Sequence, residues 1–269
     1  MTGLTEEKFI EILNNNFDLG PYYNNGVIAK FDPDTGQPVP EEKREEIKHL
    51  VDVMRIAAST NIGKELFEQL NPDVKISLIV DSSSKSECYG YSTNNHEIAI
   101  TNTSLNPHIN ATTFLHELTH EVQKQQGGNS RFLATEQDRF MANKLMEAEA
   151  RLNTAKATKE VICLWNETGT VEEIQFILSH LDNQSFQDTR FYMNMCFDQK
   201  MPEEEINRAM LNSFYKDPNW NEGYNKQALR SANYKMSLNK YHAEQSADTK
   251  KVQKTYTPPL TIYPHKVYD

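Results

Sequence analysis

The stretch NPHINATTFLHELTHEVQKQQGG (106–128) decides how this chain is read. Asn106 suits an N-cap, because its side chain can accept from an exposed backbone N–H, and Pro107 suits the first helical position, where a missing N–H costs nothing. Gly127-Gly128 supplies the stop. The spacing therefore predicts a single helix from about 107 to Gln126. Along it Phe114, Leu118 and Val122 recur at four-residue steps and form an apolar stripe for a core. His116, His120 and Gln123 form a separate stripe. A second face given to His, His and Gln packs poorly and suits a site.

Residues 116–120 spell His-Glu-Leu-Thr-His. The two imidazoles stand one turn apart and leave the same face, so both can grip one ion. Glu117 lies about 100° round the helix, where it can reach a metal-bound water instead of the metal. Zinc lowers the pKa of such a water to about 7, and the carboxylate then takes its proton. In a chain with eight histidines, chance alone produces this pattern in about one case in fifty, and the helical setting argues against chance.

Two histidines leave a catalytic zinc one protein ligand short, and the usual complements are a third His or a downstream Glu. Position 126 is Gln126, not His, and the next histidine, His180, stands 60 residues beyond His120. A Glu is available in MEAEARL (146–152), on a second long helix expected from near Glu136 to beyond Ala150. Reach supports it: His116/His120 to Gln126 is roughly 12 Å of helix and Glu136 to Glu147 roughly 16 Å. An antiparallel pair could bring residue 147 back beside the histidines. Glu147 and Glu149 lie about 200° apart, so both can hardly ligate one ion. Gln123 reads as a supporting amide and not as a ligand.

The flanks set the fold class. Residues 5–16 read as a short helix and 17–40 as loop. Within that loop FDPDTGQPVP (31–40) carries two turn signals; a calcium site at Asp32 and Asp34 is disfavoured, since Gly36 comes one place early and Lys43 stands where a bidentate Glu is needed. From Glu41 to about Leu70 the pattern is helical, with Ile47, Leu50, Val51, Met54 and Ala58 on one side and a division near Asn61 and Gly63. VKISLIV (74–80) alternates as a strand, CYGYS (88–92) reads as a short strand, and HEIAIT (96–101) as a clear one. VICLWNETG (161–169) closes the second-helix region. Residues 170–182, 185–198, 203–215 and 225–246 read as helical, and the tail from Lys250 as extended. The order is helix, strands, helices: α+β with a mainly helical C-terminal extension. The expected division is 1–40, 41–165 (the core), 166–250 (helical) and 251–269 (tail).

The 269 residues carry 28 Lys+Arg against 38 Asp+Glu, a net charge of −10. That disfavours general nucleic-acid binding, which needs a basic field. No apolar run reaches the roughly 20 residues of a membrane span, and the start lacks a basic region followed by an apolar one. The expectation is a cytoplasmic protein, or one exported without a cleaved signal peptide. Three cysteines, Cys88, Cys163 and Cys196, argue against a disulfide framework or a thiolate zinc site. Residues 225–255 hold seven Lys/Arg against two Asp/Glu, the mark of a solvated helix face or, less simply, of a docking segment.

HELTHEVQ with a downstream EAEA resembles the zincin-like metallopeptidases of the gluzincin type, in particular bacterial domains with HELxHxxQ followed by Glu-x-[Asp/Glu]-Ala. The resemblance spans roughly residues 45–155. It implies a small twisted sheet packed on the HExxH helix, a zinc ion held by His116, His120 and Glu147 (Glu149 being the alternative third ligand), Glu117 as general base, and a peptide or protein substrate. It also implies that the edge strand before the active helix pairs with extended substrate, a role that falls to HEIAIT if that strand is not internal. The sequence departs from the pattern at Arg151, where many relatives carry an Asp that orients a metal-bound histidine; that role passes to another group, Glu149 being one choice, or is absent. His96 reads as structural or surface. A donor for the oxyanion could come from Tyr192, Tyr215, Tyr224, His180 or His242, none ranked above the others. The resulting expectation is a zinc metallopeptidase, with an inactive zincin-like binding module, a narrow-specificity effector or toxin protease, and zinc hydrolysis of a non-peptide amide as alternatives. Oligomeric state is left open.

Overall fold

The computed structural model describes residues 3–81, 90–92, 95–101, 106–127, 136–168, 183–197 and 201–216. Those residues form an α+β structure that is mostly helical. The chain order is α1 (Glu6–Asn16), β1 (Phe17–Asp18), β2 (Tyr23–Asn24), β3 (Val27–Ile28), α2 (Glu41–Ser59), α3 (Asn61–Glu68), β4 (Ile76–Val80), β5 (Gly90–Ser92), β6 (Glu97–Ile100), α4 (Pro107–Gln125), α5 (Glu136–Thr168), α6 (Asn183–Phe197) and α7 (Glu203–Lys216). No described helix is long and apolar enough to cross a membrane.

Local chemistry explains the boundaries. Thr60 ends one helix and starts the next: its hydroxyl donates to the Ala57 carbonyl and accepts from the Gly63 amide at 2.9 Å. A side chain at Gly63 would collide with the Ala57 carbonyl, so the tight corner needs glycine there. The Asn106 side chain accepts from the His108 amide at 3.0 Å with Pro107 behind it, and Gly127 takes the left-handed conformation (φ 86°) just past the end of α4.

Four strands lie in the order β1-β4-β6-β5, with β1, β4 and β6 parallel and β5 antiparallel to β6. Of the two readings of HEIAIT, the internal strand is the one observed, and β5 is the edge beside it. The apolar run of β6 fits its interior place, since Ile98, Ala99 and Ile100 are wholly buried. Residues 17–40, expected as loop, contain β1 and the β2–β3 hairpin. Strands of two residues are too short to show alternation. Asp32 there accepts from the amides of Asp34 and Thr35 and from Tyr22 Oη, a turn arrangement.

The main core lies where α1, α2, α3 and the sheet meet one side of α4. Phe9, Phe17, Phe67 and Phe114 form a cluster of edge-on and tilted rings with centroids 5.8–6.5 Å apart. A second core joins Ala148 and Leu152 of α5 to Tyr192 and Met195 of α6 and to Ile206, Met210 and Phe214 of α7. VICLWNETG does not close the region as a separate element: α5 continues unbroken through it to Thr168. The helices expected at 170–182 and 225–246, the basic segment 225–255 and the tail lie outside the described residues.

His49 of α2 reaches the buried Asn110 of α4, with Nε2 2.8 Å from Nδ2. Burial lowers the His49 pKa, Asp52 opposing. The neutral ring accepts from the amide, and the unfolded chain binds the proton more readily, so this contribution is present above about pH 6.5 and is lost as pH falls through the folded value. The loss of thermal midpoint between pH 7.5 and 5.5 is expected to be smaller in His49→Gln than in wild type. An equal loss in both proteins would exclude His49 as a source of acid sensitivity.

Candidate metal centre

Helix α4 has a core-facing side and a side that meets α5. The antiparallel pairing of the two helices is fixed by cross-contacts running in opposite senses, His116 with Thr154 at one end and Gln123 with Met146 at the other. Between them the Glu147 carboxylate points at both histidines, with one oxygen 3.6 Å from His116 Nε2 and the other 3.1 Å from His120 Nε2. Two ligands held about 2.0–2.1 Å from a tetrahedral ion lie about 3.3 Å from each other; one atom from each of the three residues lies within 4.8 Å of the other two, so a small inward shift would suit an ion. Among the described residues, His116, His120 and Glu147 are the one group of three or more His, Cys, Asp or Glu side chains placed to hold a metal. All three are half-buried.

Hydrogen bonds orient both rings. Thr154 Oγ1 donates its own proton to the Ala150 carbonyl at 2.7 Å, so toward His116 Nδ1, 3.0 Å away, it is an acceptor. His120 Nδ1 lies 3.0 Å from Gln123 Oε1, and the Gln123 amide nitrogen donates to the Met146 carbonyl and to Glu149 Oε2. An amide whose nitrogen is spent on two acceptors presents its oxygen to the ring. Both rings thus donate from Nδ1 and turn Nε2 toward Glu147, which leaves Nε2 as the atom that can bind a metal once its own proton is given up. For His120, burial alone would lower the pKa, but the hydrogen bond and charge of Glu147, with Glu117 and Gln123, outweigh it and raise it. The ring is thus drawn toward positive charge by the carboxylates around it.

Glu149 sits behind Gln123 and joins no ligand cluster. Sequence reasoning looked for one residue to replace the missing aspartate; the structure divides the task between Thr154 and Gln123, with Glu149 supporting the latter. Thr154 went unnoticed because it is seven residues past Glu147, on the same face only once α5 is known to be continuous. Arg151 belongs to a different contact. Its guanidinium donates to Asp188 of α6 through Nε (2.8 Å) and Nη2 (2.6 Å) and lies 4.3 Å over the Phe214 ring of α7.

Glu117 is half-buried on the side of α4 that faces β5, where a Cβ built on Gly90 would stand 3.7 Å from Glu117 Cγ. Of the residues considered as oxyanion donors, Tyr192 is buried in the second core, where burial and then Cys196 raise its pKa. His180, Tyr224 and His242, and the side chain of Tyr215, lie outside the described residues. Comparison with protein-family models, with curated proteins and with solved structures finds no match.

Two substitutions separate the roles on α5. Thr154→Val strands the His116 Nδ1 proton and is expected to weaken divalent-metal binding by about 10–100-fold, read by competition with a chromophoric chelator. Arg151→Ala removes a guanidinium that makes two hydrogen bonds to buried Asp188 and covers the Phe214 ring, and is expected to lower stability by about 3–5 kcal/mol with metal affinity unchanged. A loss of metal affinity in Arg151→Ala at temperatures where it stays folded would contradict this division.

Proposed function

We propose that the protein is a zinc-dependent metallohydrolase with a zincin-like core, and that its substrate is a peptide or protein. The observation that carries this reading is the convergence of His116 Nε2, His120 Nε2 and a Glu147 oxygen within 4.8 Å of one another, beside Glu117 on the same helix. The donor set of two imidazoles and one carboxylate suits zinc and leaves a fourth position open. The oriented rings and the cation-seeking Glu147 support the same choice.

His116, His120 and Glu147 would hold the ion, which when bound supplies a Lewis acid and lowers the pKa of water at the open position. Glu117 takes a proton from the attacking water and returns it to the leaving amine. Its place about 100° round the helix from His116 and about 60° from His120 sets its carboxylate aside from the ligand set. Gln123 and Thr154 hold the rings still through the cycle. A peptide class is favoured because β5 is an edge strand beside Glu117: among the described residues nothing pairs with its outer side, and an extended chain can add there through main-chain hydrogen bonds.

Glu117→Gln is expected to keep about one zinc per chain while hydrolysis of an unstructured peptide library falls by about 10²–10⁴-fold. Glu147→Ala is expected to lose the metal and Glu149→Ala to retain it with lower affinity. Purified wild type that holds no zinc after supplementation, or hydrolysis that survives Glu117→Gln, would overturn the reading.

A further inference from the structure

The β5–β6 hairpin is held against α4 at two points, neither of which is a metal ligand. At the first, the main chain of Gly90 presses on α4: a Cβ there would stand 2.7 Å from Thr113 Cγ2 and 3.0 Å from the Ala99 carbonyl oxygen. Gly90 is not among the positive-φ glycines, so lack of space, not backbone conformation, is what demands glycine. At the second, His96 occupies the turn between the strands with φ 56°, a left-handed conformation that costs most side chains about 1–2 kcal/mol. Histidine, like Asn and Asp, is among the side chains found more often in this conformation, which suits His96 to the turn.

Its side chain makes the second contact with α4. His96 Nδ1 donates to Glu121 Oε1 at 2.5 Å, and the Glu121 side chain is wholly buried while that of His96 is 40% exposed. Gln125 Nε2 donates to the same oxygen at 2.9 Å, and the Lys124 ammonium lies 3.6 Å from the other. The His96 carbonyl accepts from the Ser77 amide of β4 at 2.8 Å. Glu117 and Glu121 are one turn apart on one face of α4, with Gly90 beside the first and His96 beside the second. The hairpin is thus held at Gly90 of β5 and at His96, just before β6, alongside the proposed base.

We propose that Gly90 and the His96–Glu121 pair are positioning residues that set the height of the β5 edge over Glu117, and with it the register of an extended peptide in the cleft. The inference rests on the metallopeptidase reading of the site. Loss of either contact lets the edge move while His116, His120 and Glu147 stay in place.

The test uses the full-length zinc-loaded protein and two probes, acetohydroxamate and a tripeptide hydroxamate. Both bind through the metal, and only the second needs the strand. Gly90→Ala, His96→Ala and His96→Gly are expected to weaken the tripeptide hydroxamate by about tenfold or more, near 1.4 kcal/mol, with acetohydroxamate affinity and zinc content unchanged. Amide exchange at 90–92 and 95–101 should quicken in the same variants. His96→Gly is the decisive variant, since it relieves the backbone strain and removes the imidazole. If it binds the tripeptide probe as wild type does, or if both probes weaken equally, the proposal is overturned. Unchanged exchange in both His96 variants overturns the clamp by itself. Wild type that binds neither probe instead overturns the metal reading, and the register role with it, whatever the exchange result.

Discussion

The antiparallel contact of α4 with α5 is the constraint on which the rest of the structure depends. Two imidazoles and a carboxylate are brought into a half-buried seam, where polar groups are costly unless each finds a partner. The seam meets that demand outward through Thr154, Gln123 and Glu149, and inward by turning three ligand atoms toward one point. A helix pair held by apolar side chains alone could slide; this pair has hydrogen bonds at both ends of the contact that fit one register only.

Helix α4 can give one face to polar groups because its other faces are buried against the sheet, α2 and the phenylalanine cluster that Phe114 joins to Phe9, Phe17 and Phe67. Helix α5 has the same double duty. Small residues such as Ala148, Ala150, Ala155 and Ala157 are wholly or almost wholly buried along it, which lets neighbours approach from two sides. The C-terminal helices α6 and α7 pack on α5, joined to it by a core of their own and by the Arg151–Asp188 pair. In this way residues remote from the histidines brace the helix that delivers Glu147.

The strong periodic segments were legible. Asn106, Pro107 and Gly127 bound α4 as their chemistry implies, α2 and α3 divide at Thr60 beside the expected position, and the alternation around Ile76 and Leu78 is a strand. Elements that lack a long pattern were not legible. β1 is a strand because Phe17 pairs with Ile76, a partner 59 residues away, and β5 is an edge because of where β6 lies. The continuity of α5 through Val161 and Ile162 was hidden for a related reason: its apolar and small residues face two different partners, so no single stripe stands out.

By itself the sequence determined that His116 and His120 share a helical face with Glu117 set aside from it, since the 3.6-residue repeat decides that without help from any other part of the chain. It also offered Glu147 and Glu149 as candidates to join them, and the angle between the two argues that only one can. Only the tertiary structure shows that Glu147 is the one beside the histidines, because that depends on how α5 is rotated against α4, and the rotation is set by side chains spread from Met146 to Glu160. The same holds for Thr154, Gly90 and His96. Each is an ordinary residue in the linear chain, and its role exists only in the space between two elements.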